Sequence, residues 1–397
     1  MKIPHVYYSD EDGELAVLQR ALASGDLSGK GAPVREYEMA LQAHFHSSFA
    51  VAVSSGAAAL SVALKSLGIS EGDEVLLAPT CPMCTVFPVQ MTGARIRFCD
   101  IQGDNFGLDL DDAYSQIGPR TKAIIEVPMW GYPTSARRLH DFAREQKIPV
   151  VMDLAHCHGT LFAGRHLSAY CDIACFSTHN IKILSTGEGG FLLTDHAEYF
   201  ERAVKYSRFG NLTGEDYGLN FKLGSLAAAV GLHRLGKLTE NLAQRVRNAK
   251  LIGGSLTNPA LSPLSVVEGG TPNYYHLVLR VRGDNRRLLQ YNNRNDIPSD
   301  VFRYKVQPVY RYPILSDLER FCPRAEEMLR TITTVPVHPG LSRNELEYII
   351  DILNGFDPES DEDRLSGLAD PFAGSPSSTD ERNRAKDRAY SSAPQRS

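Results

Sequence analysis

Between residue 51 and about residue 195, short apolar runs rich in β-branched residues alternate with stretches of helical period, and this alternation most constrains the fold. The runs at 49–53, 74–77, 95–99, 123–127, 150–153, 173–176 and 190–194 predict seven strands. Between them, 57–67 places Leu60, Ala63, Leu64 and Leu67 on one helical face, and 135–146 carries Leu139, Phe142 and Ala143 opposite its charges. Strands separated by helices pair in parallel, so the expected fold is α/β, a mostly parallel seven-stranded sheet covered by helices.

At 397 residues the chain exceeds what one core usually serves, and a second, smaller domain is expected. The stretch 223–246, with Leu226, Val230, Leu235 and Leu238 apolar, predicts one long helix leading out of the large domain. Residues 247–356 mix strands such as 275–281 with helices such as 343–353, the pattern of a small α+β domain. The division is therefore 1–246 and 247–356. Residues 357–397, rich in Asp, Glu, Arg, Ser and Pro without periodicity, read as a disordered tail.

Forty-two basic against 47 acidic side chains leave a formal charge of −5, which argues against a nucleic-acid surface. The most membrane-like stretch, 51–69, is broken by Ser54, Ser55, Gly56 and Lys65, so no span and no membrane partner are expected. The opening MKIPHVYYSDEDGE has no apolar run and is not a secretory signal, which makes the cytoplasm the expected location. Seven cysteines, an odd number, are expected to be free thiols. Cys81 and Cys84 form a C-x-x-C, half of a zinc site or a redox pair, but no second C-x-x-C completes a ligand set. Cys157 lies between His156 and His158, and on an extended segment neighbouring side chains diverge. No metal site is expected.

Three local features carry chemistry. Ser54-Ser55-Gly56-Ala57 is a small-residue turn between a strand and a helix, suited either to a phosphate at the helix N-terminus or simply to tight packing under a Ser cap. Asp153 ends an apolar strand, where ligands of open α/β sheets sit, although a helix cap is the competing reading. Lys182 follows the next strand in a polar loop bounded by Gly187, Gly189 and Gly190. Together, and in this order, the three match the charges of pyridoxal 5′-phosphate: amine for aldehyde, carboxylate for protonated ring nitrogen, helix terminus for phosphate.

These residues resemble the DegT-type aminotransferases of sugar and secondary metabolism, fold type I pyridoxal-phosphate enzymes. The most specific segment is FSTHNIK at 176–182 followed by STGEGG at 185–190. Further matches are SGAAAL at 55–60, GDEV at 72–75, GAR at 93–95, TKAII at 121–125, DLAHCHG at 153–159, NFKL at 220–223 and VPVHPGLS at 335–342. The resemblance implies an aspartate aminotransferase-like fold, Lys182 as Schiff-base lysine and proton carrier, Asp153 beneath the ring nitrogen, and His156 beside the 3-oxygen. It also implies that Ser55, Gly56, Ala57 and Ser177 bind the phosphate. Asn220 would reach a neighbouring subunit's phosphate, which implies a homodimer with shared active sites.

The chain departs from the family pattern in three places. Ala57 stands where the family usually has Thr, and no aromatic lies between residues 77 and 86 to cover the ring, leaving Pro82 or Met83 as a flat apolar contact. Tyr310-Arg311-Tyr312-Pro313 replaces a histidine-bearing substrate segment. The implied activity is transfer of an amino group from glutamate or glutamine to a carbonyl acceptor, a nucleotide-linked keto sugar or related natural-product intermediate. The alternative is non-transaminating carbanion chemistry, such as elimination or dehydration, with the same cofactor. Lys182 argues against the dehydratase branch, which carries histidine there.

Overall fold

The computed structural model describes residues 1–7, 12–318 and 320–359. Strands β1 (Phe49–Val53), β2 (Glu74–Leu77), β3 (Arg95–Phe98), β4 (Thr121–Glu126) and β5 (Val150–Asp153) come first. A small hairpin, β6 (Leu161–Phe162) and β7 (Arg165–His166), precedes β8 (Ile173–Ser177) and β9 (Gly190–Thr194). The large sheet has the order β1-β9-β8-β5-β4-β2-β3. Its pairs are parallel from β8 through β3, and β9 runs antiparallel to both neighbours. Strands β2, β5, β8 and β9 are buried along their whole length, which is why they read as continuous apolar runs rather than alternating ones.

Helices α1 (Asp12–Ser24) and α2 (Ala32–Phe45) precede the sheet, α3 (Gly56–Ser66), α4 (Met83–Met91), α5 (Leu110–Gln116) and α6 (Ala136–Gln146) connect its strands, and α7 (Ala197–Ser207) follows the last of them. Helix α3 packs on β8 and β9; Ala58, Ala59 and Ala63 on it are buried, and such short side chains let helix and sheet approach closely. Beneath the same strands Phe176 and Phe191 stack with ring centroids 4.5 Å apart, and Phe45 closes the cluster from α2.

The single helix expected over 223–246 is two: α8 (Ser225–Leu235) and α9 (Leu238–Gly254). Gly236, a poor helix former, sits at the break while the apolar periodicity runs on across it. The expected domain boundary at 246/247 falls inside α9, and Met1–Pro358 form one compact unit. After α9 come β10 (Leu261–Pro263), β11 (Gly270–Thr271), β12 (Leu277–Val281) and β13 (Ile332–Val335). Strands β10, β12 and β13 make a second, antiparallel sheet, and β11 adds to the β6–β7 hairpin. Strand β12 starts two residues later than expected, because Tyr274 takes a left-handed φ of 50° and the Tyr275 N–H bonds the Asn273 side chain instead of a ladder partner. A second core joins Leu277, Leu279 and Val281 to Ile252 of α9 and to Ile349 and Leu353 of the last described helix, Arg343–Asn354. The tail expected from 357 lies outside the described residues from 360 onward.

Strand order positions the site. The carboxyl ends of β1, β8 and β5 and the start of the antiparallel β9 all fall on one edge of the large sheet.

Candidate active site

At that edge β1 passes into α3 through Ser54 and Ser55. The Ser55 hydroxyl accepts the Ala58 N–H at 3.0 Å, which leaves the Gly56 and Ala57 N–H groups at the helix start without an intrahelical acceptor. Ser177, the last residue of β8, lies against this turn: a Cβ on Gly56 would sit 2.7 Å from the Ser177 Cβ. A Cβ on Gly190 would sit 2.6 Å from both the Ser55 carbonyl and the Phe176 carbonyl oxygen. Only glycine at these two positions allows the three segments to close together. The result is a cradle of backbone N–H groups and small hydroxyls.

Asp153 ends β5, the strand paired with β8, whose last residue Ser177 belongs to the cradle. It is buried; its carboxylate accepts the Thr85 hydroxyl at 2.6 Å and the Ala155 N–H at 3.1 Å. Burial raises its pKa, against the pull of those two hydrogen bonds and of the Lys182 charge. Thr85 comes from the first turn of α4, so this helix delivers the partner that fixes the carboxylate. Pro82 occupies the N-cap position of α4, followed by Met83.

Lys182 follows β8 in a turn held by its own N–H to the His179 carbonyl at 2.8 Å and by the Thr178 and Thr186 hydroxyls, 2.7 Å apart. Its Nζ lies 5.2 Å from the centre of the Tyr275 ring. The surrounding protein pushes the amine below its ordinary pKa, while Cys84, Asp153 and Asp300 oppose that shift. His156 stacks on the same Tyr275 ring, centroids 4.3 Å apart and planes 11° apart. Its Nδ1 accepts the Trp130 backbone N–H at 3.3 Å. Burial first, then the Lys182 charge, hold the imidazole well below its ordinary pKa. The ring is thus neutral, and its proton is on Nε2.

Trp130 reaches this position through a left-handed backbone, φ 50°, a costly conformation for a bulky residue. Its indole N–H donates to Asp300 at 3.1 Å. Asp300 also takes the Nε2 atoms of His5 at 2.9 Å and His276 at 3.3 Å. Burial alone would raise this carboxyl; the two imidazoles outweigh it and hold the group well below the usual range.

The structure brings Lys182 to the vicinity of Asp153 and His156, and Gly56 and Ser55 to Ser177. Asn220 is exposed, bridges Arg208 and accepts from Lys222, on a strand-like segment whose Phe221 carbonyl accepts the Ser54 N–H at 2.7 Å. Of the C-x-x-C, Cys81 is buried and Cys84 is not, and burial raises the Cys81 thiol. The Cys157 thiol points at the Pro128 carbonyl, 3.2 Å away. Sequence reasoning missed Thr85, Trp130, Tyr275 and Asp300. The available signals were that Trp130 is the chain's one tryptophan and that Tyr274-Tyr275-His276 stands immediately before an apolar strand.

Among known proteins, the chain is similar to GDP-perosamine synthase of Escherichia coli O157:H7, 26% identical over 369 residues, covering 90% of this chain and 99% of that protein. It superposes on the sugar aminotransferase CalS13 of Micromonospora echinospora with a TM-score of 0.82 at 25% identity, covering 89% of this chain and all of that one (100%). It superposes on DesV of S. venezuelae with a TM-score of 0.81 at 27% identity, covering 86% and 93%. The family model for the DegT/DnrJ/EryC1/StrS aminotransferases matches residues 9–354. The chain belongs to that family, and it is a pyridoxal-phosphate-dependent aminotransferase.

Proposed function

We propose that this protein transfers an amino group from glutamate or glutamine to a nucleotide-linked keto sugar, with Lys182 as the residue that binds the coenzyme and moves the proton. The observation that carries the reading is the placement of one amine, Lys182, between a buried strand-end carboxylate and a glycine-built cradle at the start of α3. The residues fit pyridoxal phosphate. A Cβ at Gly56 would collide with Ser177 at 2.7 Å, and the N–H groups at the start of α3 suit a dianion. The Asp153 carboxylate, raised by burial, gains from a protonated ring nitrogen beside it. The similarity to GDP-perosamine synthase and to the sugar aminotransferase CalS13 supports a sugar acceptor.

When bound, pyridoxal phosphate supplies an aldehyde that condenses with amines and a ring that takes up the electron pair left when a Cα proton departs. In this reading Gly56, Ala57, Ser55 and Ser177 bind the phosphate, and Asp153 keeps the ring nitrogen protonated. His156 would offer its Nε2–H as a hydrogen bond to the ring's 3-oxygen. Lys182, its amine depressed, would be the base that carries the proton between the substrate's Cα and the coenzyme's aldehyde carbon, C4′. Pro82 gives an apolar edge, and residues 247–356 contribute Tyr275 and Asp300. Asn220, exposed in one subunit, reaches the phosphate of a second, so that the protein works as a homodimer. Free thiols at all seven cysteines support a cytoplasmic location. No described helix is long and apolar enough to cross a membrane.

Borohydride reduction of the purified holoprotein, followed by digestion, tests the reading: the label is expected on the fragment spanning 176–190. A label elsewhere rejects Lys182. Incubation with glutamate tests the reaction type: release of 2-oxoglutarate with a spectral change is expected for transamination, and no change favours the non-transaminating alternative.

A further inference from the structure

A cavity of about 440 Å³ opens on Lys182, and its wall carries Arg234, Lys237, Arg245 and Arg247 against one carboxylate, Glu240. The best buried of these cations is differently placed from the others. Arg234 is neutralised by a two-bond pair with Glu14, at 2.5 and 2.9 Å. Arg247 is exposed and donates to Gln244. Arg245, on α9, is only 6% exposed, and its partners are both uncharged: Nε donates to the Asn241 side-chain oxygen at 2.9 Å, Nη1 to the Tyr275 carbonyl at 3.2 Å. Its Nη2 has no hydrogen-bond partner, and no carboxylate pairs with the group, among the described residues. A buried guanidinium without a counter-charge is expensive, and its planar fork matches the two oxygens of a carboxylate or phosphate. Burial lowers it to about 10, so it is fully charged at neutral pH.

We propose that Arg245 is the anion anchor of the site, binding an oxyanion of the substrate whose reacting end stands at Lys182: a carboxylate of the amino donor or a phosphate of the nucleotide-linked acceptor. The inference rests on the function proposed above. Tyr275 links the two ends, because its ring faces Lys182 Nζ at 5.2 Å while its carbonyl braces the guanidinium at 3.2 Å. The competing role, a mere brace for that carbonyl, needs a donor but no charge. Arg245→Gln therefore separates them: the amide keeps a donor and removes the charge.

The experiment is calorimetric titration of the holoenzyme, parent, Arg245→Gln and Arg245→Lys, with 2-oxoglutarate and separately with GDP, alongside KM and kcat for each substrate. Arg245→Gln is expected to weaken one probe at least about tenfold and raise the matching KM more than it lowers kcat, with Arg245→Lys recovering part of the loss. A loss confined to 2-oxoglutarate assigns the donor carboxylate; a loss confined to GDP assigns the acceptor phosphate. Unchanged binding of both probes overturns the anchor. Should the glutamine variant not fold, crystals of the parent holoenzyme with each probe decide: an oxyanion on the Arg245 fork upholds the anchor, and oxyanions bound only elsewhere overturn it. Borohydride labelling of the parent keeps the two claims apart, since a missing label at Lys182 removes the proposed function and leaves the anion titrations to judge Arg245 alone.

Discussion

The wall of the site around Gly56 and Ser177 and the wall around Tyr275 and Asp300 are made of different materials. The first is backbone and small side chains at the ends of neighbouring strands, so its shape follows from the order β1-β9-β8-β5 and from glycines that let the segments close. The second is rings and buried charges brought from α9, from the turn before β12 and from a tryptophan with a left-handed φ of 50°. One wall is specified by sheet topology. The other depends on side-chain packing between parts distant in the chain, with backbone strain held in place by Asp300 and His156. A general point follows: the half that grips a constant group can be built from main chain, whereas the half that sets protonation needs side chains.

Four experiments probe this contrast. The largest effect belongs where the walls meet: Lys182→Ala is expected to lower kcat by about 10⁴-fold or more with the circular dichroism of the parent retained, and a variant retaining near-parental turnover would reject the assignment. Next is acid sensitivity beneath the first wall. His158 is fully buried beside Phe176 and Phe191, neither ring nitrogen has a partner among the described residues, and burial pushes it down to about 3. Because the folded value lies below the unfolded value of about 6.5, the unfolded chain binds the extra proton. Stability from this group is complete above about pH 6.5 and is lost as pH falls toward 3, on the order of 4 kcal/mol over that window. Urea unfolding at several pH values should show a flatter profile for His158→Leu than for the parent; parallel profiles would contradict this.

Gly56→Ala comes third and attacks the first wall by volume alone. With only 2.7 Å to the Ser177 Cβ, the added methyl is expected to cost about 1–3 kcal/mol and to weaken retention of the coenzyme, read by dialysis and absorbance. An unchanged melting temperature together with unchanged retention would show that the cradle yields. The smallest effect is on the second wall. Tyr275→Phe keeps the ring under Lys182 and His156 and removes only the hydroxyl's bond to the Ile181 carbonyl, 3.3 Å, for an expected loss of about 0.5–1.5 kcal/mol in thermal unfolding. A loss of several kcal/mol would make the hydroxyl, not the ring, the important group.

The first wall was legible in the sequence because its determinants are local. Continuous apolar runs mark strands buried on both faces, and Ser55-Gly56 comes just after one of them, Asp153 ends another and Lys182 lies in the loop after a third. The second wall was not. No spacing links Tyr275 to His156, or Trp130 to Asp300; those pairs exist only once the second sheet is docked. Thr85 escaped notice for the same reason, since its partner Asp153 belongs to a different strand connection. Gly236 broke a helix without interrupting the apolar period, and one residue is too little signal to separate α8 from α9. The family resemblance named Lys182, Asp153, His156 and a flat apolar contact at Pro82 or Met83; it did not name Tyr275, whose ring faces the lysine.

Tyr275 stands two residues ahead of β12, whose Leu277 is registered on Val335 of β13. Because alternate residues of a strand face opposite ways, a slip of one residue between those partners would turn the tyrosine ring away from the amine while leaving the large sheet untouched. A truncated translation product ending before residue 275 would likewise possess every strand of that sheet and still present a lysine with no ring next to it. The ring beside the lysine thus depends on residues made after the whole large sheet, and on the register between β12 and β13.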